Sequence, residues 1–167
     1  YISSSVWIVN KTNLNAGSLT VTAFHAIASL SISGPLTPQG VHNSDPSATQ
    51  GFFIGVSNTS TGLLTLRRVT NPGGAPSLSG NLNVSTSSTG NPVNVPCLGT
   101  TGTLDALGTR LFAAEIHNNK ITGAVSLWTS HNIQVNSSGV YNSSGGRNGS
   151  RWYEITNLTT TPALNQS

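Results

Sequence analysis

Leu127–Val135 reads LWTSHNIQV, residues 136–149 read NSSGVYNSSGGRNG, and Ser150–Ile155 reads SRWYEI. Apolar and polar residues alternate on both sides of a loop of Asn, Ser and Gly, which is the pattern of half-buried strands joined as a hairpin. Leu127, Thr129, His131, Ile133 and Val135 share one face of the first strand, and Trp128, Ser130, Asn132 and Gln134 share the other. In the returning strand Tyr153 and Ile155 fall together, with Trp152 and Glu154 opposite. Two of the three Trp lie in this unit, so much of the large apolar surface is concentrated here.

Upstream the same grammar recurs twice. Val6–Asn10 is an apolar run, Lys11–Gly17 a loop, Ser18–His25 an alternating run, and Leu30 and Ile32 alternate with Ser. Gly34–Gln50, with Pro35, Pro38 and Pro46, reads as a connector. Gly51–Val56, the turn Ser57–Gly62, Leu63–Thr70, the turn Asn71–Gly74 and the weaker Leu82/Val84 stretch make the second unit. Ser85–Gly108 is a second connector, and Arg110–His117 opens the third unit. No window repeats apolar residues at helical spacing. An all-β chain of antiparallel sheets is therefore expected, as a single β-domain over 1–167 or part of a larger propeller, with units about 1–50, 51–109 and 110–167. Trp7 to Phe53 spans 46 residues and Phe53 to Phe112 spans 59. Periods of this size suggest three propeller-type blades, half of a β-propeller. The alternative is a β-sandwich or jelly roll. Three blades cannot close, so exposed edges would seek a second copy or another segment.

Only 7% of residues are charged, against roughly 25% in ordinary soluble domains. The surface must then be one of hydroxyls and amides, as is common in secreted and cell-surface β-proteins. The net charge of +3 reflects scarce acids, not a basic patch. Only Arg67 and Arg68 adjoin, and alternation sends them to opposite faces, so no nucleic-acid groove is expected. Cys97 is the one cysteine, and no stretch approaches the length of a membrane span. Met is absent and Tyr1 leads straight into a strand-like run, so a processed chain or a segment of a longer one is expected.

The segment SGGRNGSRWYEI, with LWTSHNIQV before it and LTPQG, RRVTNPGG and RLFAA upstream, resembles a group of exported bacterial proteins of sialidase-like or BNR-like β-propeller character. The resemblance runs through most of the chain in the same order. It implies fold and export, and it carries over no catalytic residue. The Asp-box repeat Ser-x-Asp-x-Gly-x-Thr-Trp and an Arg cluster for a sialic carboxylate are not found in this sequence.

Chemistry is sparse. Glycoside hydrolysis needs two facing carboxylates about 5–10 Å apart, and among four acids only Glu115 and Glu154 lie on strands that could be neighbours. Glu115 and His117 share a strand face and His131 could oppose them, which would suit zinc, although a hydrogen-bonded strand histidine is the ordinary case. No Gly-x-Ser-x-Gly is present. No catalytic, cofactor or metal residue is assigned. Eight Asn-x-Ser/Thr triplets occur, and Asn136, Asn142 and Asn148 in the hairpin loop are the candidate glycan attachment points. Trp128 and Trp152 are the candidates for stacking on a sugar ring, against the commoner fate of core packing. The expected function is a non-enzymatic secreted or cell-surface structural or interaction protein: a scaffold, adhesin or fibre subunit that self-associates. The alternative is a fragment of a glycan-binding or glycoside-hydrolase-like propeller.

Overall fold

The computed structural model describes residues 2–167. Its strands are β1 (Ser3–Val9), β2 (Val21–Ser29), β3 (Pro35–Gly40), β4 (His42–Asn43), β5 (Gln50–Ser57), β6 (Leu63–Thr70), β7 (Ser77–Leu78), β8 (Leu82–Ser85), β9 (Val95–Pro96), β10 (Thr103–Leu104), β11 (Ala114–Asn118), β12 (Val125–Val135), β13 (Arg147–Thr156) and β14 (Ala163–Gln166). A single helical turn, α1 (Lys11–Asn15), follows β1, with the Asn10 side chain accepting from Asn13 N–H as its N-cap. The chain is all-β with antiparallel sheets, and none closes into a barrel. The short pair β11–β4 runs parallel.

Two five-stranded sheets carry the fold. One has the order β3-β5-β6-β7, with β8 also on β6, and the other runs β14-β13-β12-β11-β4. Phe52, Ile54, Val56, Leu64, Leu66 and Val84 from the first share one buried cluster with Ala114, Ile116, Leu127, Tyr153 and Ile155 from the second. Each strand contributes every second residue, as the two-residue period of a pleated strand demands. The organising hairpin behaves as its alternation predicts: Leu127, Thr129, His131, Ile133, Val135, Tyr153 and Ile155 are all buried.

The strand pairing crosses the three expected units. Strands within 1–50 go to three different sheets: β1 and β2 pair only with each other, β3 joins β5, and β4 joins β11. The two five-stranded sheets pack their apolar faces into one shared cluster. The physical reason is that alternation marks the face a strand buries, not the strand beside it. The connector 34–50 also hides β3. Pro35 starts that strand and Pro38 sits on it at the sheet edge, where a missing N–H breaks no ladder.

Arg67 and Arg68 do point to opposite sides of β6. The Arg68 guanidinium donates to Leu158 O and Thr160 O, tying the first sheet to the segment after β13. Arg67 turns outward, donating to Ser79 O and to Ile27 O of β2. The β1–β2 hairpin is thereby fastened to the outer side of the first sheet. Asn58 donates to Ser29 O and Ile32 O, and Asn10 at the hairpin tip donates to Gly73 O. Val6, Ile27, Ala28 and Val69 are buried outside the main cluster.

Candidate functional site

The outer face of the second sheet displays the side chains its core does not need. Strand register sets them in one row: Gln166 on β14 is opposite Glu154, Glu154 opposite Trp128, Trp128 opposite Glu115, and Glu115 opposite His42 on β4. Trp152 lies one step along β13, opposite Ser130. The Trp128 and Trp152 rings stack, with centroids 5.5 Å apart and planes at 26°. Trp152 is 45% exposed, and Trp128 is half-buried, its Nε1–H donating to Ser126 Oγ at 3.0 Å. These two Trp, candidates for stacking, therefore lie side by side on a solvent-facing sheet and not in the core.

The two carboxylates on either side of Trp128 are held differently. Glu154 Oε2 accepts from Asn165 Nδ2 at 2.6 Å and from Gln166 Nε2 at 2.7 Å. Hydrogen bonding from Asn165 first, then from the Ser126 hydroxyl and Gln166, lowers its carboxyl pKa from the ordinary value. Glu115 lies between two imidazoles, with His42 Nδ1 3.3 Å from Oε1 and His117 Nε2 3.5 Å from Oε2. His117, Asn118, Asn119, Ser126, Trp128 and Glu154 line an open hollow of about 470 Å³. The Asn119 side chain also builds the β11–β12 turn, accepting from Ile121 N–H and Thr122 N–H.

This arrangement is poorly suited to glycoside hydrolysis. Glu115 and Glu154 stand two strand spacings apart, roughly 10 Å at the backbone and so at the upper end of the range that chemistry uses, with an indole between them. Glu154 is favoured as the anion, the wrong state for a general acid, and the hollow it lines is open and does not include Glu115.

His131 is not part of this face. It is buried on the core side of β12, so the grouping of Glu115, His117 and His131 does not form, and His42 adjoins Glu115 instead. Among the described residues no group of three or more His, Cys, Asp or Glu is placed to hold a metal ion. His131 Nδ1 lies 2.6 Å from Thr109 O. A carbonyl only accepts, so Nδ1 carries the proton, and Nε2 accepts from Tyr153 OH at 2.9 Å. Burial lowers the His131 pKa from its usual value and raises that of Tyr153, so both are neutral near pH 7. They form the floor of a cleft of about 380 Å³ whose rim includes Ser57, Thr59, Thr86 and Thr89. With both ring nitrogens engaged, His131 offers no free base there.

The glycan-attachment candidates fall in three settings. Asn142 is exposed, its Oδ1 accepting from Ser144 N–H. Asn136 Oδ1 accepts from Ser138 N–H and Val140 N–H within the loop. Asn148 is clamped to Val93, accepting from its N–H and donating to its carbonyl. Cys97 is a free thiol in the turn between β9 and β10. Among the described residues no helix is long and apolar enough to cross a membrane. The row was half legible from the sequence, since alternation puts Trp128 and Trp152 off the core faces. The partners of Trp128 needed register, and His42 lay in a presumed connector.

No family model, curated protein or solved structure matches this chain.

Proposed function

We propose that this chain is a non-enzymatic interaction domain that works outside the cell, as a scaffold, adhesin or fibre subunit, and that copies join through the β1–β2 hairpin. The observation that carries the reading is an unguarded sheet edge. Among the described residues each strand of the hairpin pairs with the other alone, so no further strand covers either outer edge, and on β2 it is Ile27 O and Ser29 O that Arg67 and Asn58 occupy. Trp7 is 56% exposed, and Val9, Leu19 and Val21 are also exposed large apolar residues. Neither SSSVWIV nor VTAFHAIAS contains Lys, Arg, Asp or Glu, the usual guards of an edge.

The other edges are blunted. β3 carries Pro35 and Pro38, β4 and β7 are two residues each, and β14 is four. Identical edges can pair antiparallel about a two-fold axis, which makes a second copy the natural occupant. Expected export rests on the low charge density and on the resemblance to exported bacterial proteins. The groups that could have served catalysis have other duties: His131 and Tyr153 bond each other, and Glu154 is fixed by two amides.

Sedimentation velocity over a concentration series tests this. The wild-type chain should associate reversibly, and Trp7→Lys with Val21→Lys should sediment as a monomer. A wild-type chain that stays monomeric at hundreds of micromolar, or a lysine variant that associates equally well, overturns the reading.

A further inference from the structure

We infer that the outer face of the second sheet binds a neutral pyranose chain, with one sugar ring seated against Trp128 in the hollow beside Glu154 and the next reaching Trp152. This site lies across the core from the hairpin and is independent of association through it.

The chemistry of the walls selects the ligand. A pyranose has an apolar face of C–H groups and a rim of hydroxyls that both donate and accept. The hollow offers an indole for the first and, for the second, a carboxylate, an imidazole and two amides from Glu154, His117, Asn118 and Asn119. A purely apolar partner would leave these polar groups without hydrogen bonds, which costs more than the single indole returns. Glu154 is held in place by Asn165 and Gln166, so its acceptor position is set before a ligand arrives. Trp152 continues the aromatic surface beyond the hollow, at a stacking distance that makes the two rings one unit.

Charge decides which sugars. Two of the four acids in the chain, Glu115 and Glu154, flank Trp128 in the same row. No Lys or Arg lines the hollow. A uronate or sialate brought here meets the Glu154 carboxylate with no Lys or Arg in the hollow to offset it, whereas a neutral hexose meets an acceptor for its hydroxyls. The face therefore excludes acidic glycans despite the chain's overall net charge of +3.

The test is titration of the intact chain with cellohexaose, mannohexaose and chitohexaose, against hexagalacturonate and sialyllactose as acidic probes, followed by tryptophan fluorescence and calorimetry. At least one neutral hexasaccharide should saturate, and the acidic probes should bind at least tenfold more weakly. Trp152→Ala should weaken binding about tenfold while lowering the unfolding midpoint only slightly, because the ring is substantially exposed and what stability it loses is its stack on Trp128. Trp128→Ala should abolish binding. Replacing both Glu115 and Glu154 with Gln should narrow the gap between neutral and acidic probes. The Trp7→Lys, Val21→Lys variant should bind as the wild type does, which separates this site from self-association. No saturation by any neutral probe up to about 10 mM, acidic probes binding as well as neutral ones, or binding that survives both Trp replacements overturns the inference.

Discussion

Tyr153→Phe removes one oxygen from a residue with no solvent exposure, and the consequence can be worked from its neighbours. The hydroxyl lies 2.9 Å from Nε2 of His131, which is itself 1% exposed. Nδ1 is already committed to Thr109 O, so the imidazole cannot turn to satisfy the orphaned acceptor without breaking that second bond. The ring of Phe fills the same space, so no cavity term is added. What remains is a buried unpaired acceptor, costing about 1–3 kcal/mol. With m near 2 kcal/mol/M, the urea midpoint should fall by roughly 0.5–1.5 M at unchanged m. Tryptophan fluorescence reads the transition. A variant within about 0.5 kcal/mol of wild type would refute the claim that this hydrogen bond holds His131 in the core.

The same pair sets the pH range of stability. Burial depresses the His131 pKa below its ordinary 6.5, so below about pH 6.5 the unfolded chain holds the extra proton and stability falls; above it this contribution is fully present. Tyr153 is raised above its ordinary 10.0, so stability is lost again as pH rises past about 10, where the unfolded phenol ionises first. Melting temperature against pH should show a plateau between these limits, and His131→Phe should flatten its acid side. Gly145→Ala should cost about 1–3 kcal/mol, because a Cβ there would overlap the Val135 carbonyl; a thermal midpoint equal to wild type would count against the close approach. Association by sedimentation and glycan titration, as set out above, complete the tests.

Much of the layer structure could be read in the chain, and little of its connectivity. The faces of β12 follow from LWTSHNIQV, and the split of Arg67 from Arg68 follows from alternation alone. The pairing was not legible because β3 and β4 lie in a proline-bearing stretch that reads as a connector, and each joins a strand from a different unit. β14 leaves little mark in the sequence, because ALNQ is four residues with little apolar signal. Its arrival matters to the site, since it brings Asn165 and Gln166 to Glu154. His131 has the look of a ligand by residue type, and only its core-side position and its bond to Tyr153 give it a packing role.

Lys11, exposed in the turn between β1 and β2, is the first Lys or Arg of the chain, and the next is Arg67. Trypsin should nick the tip there and leave β1 and β2 on separate segments still zipped together from Ser3↔Ser29 to Val9↔Val21. A nicked molecule is then a two-part receptor and ligand. Its first strand can be competed out by a synthetic SSSVWIV peptide carrying a dye or an affinity handle, converting an edge that joins copies into a port for chosen cargo.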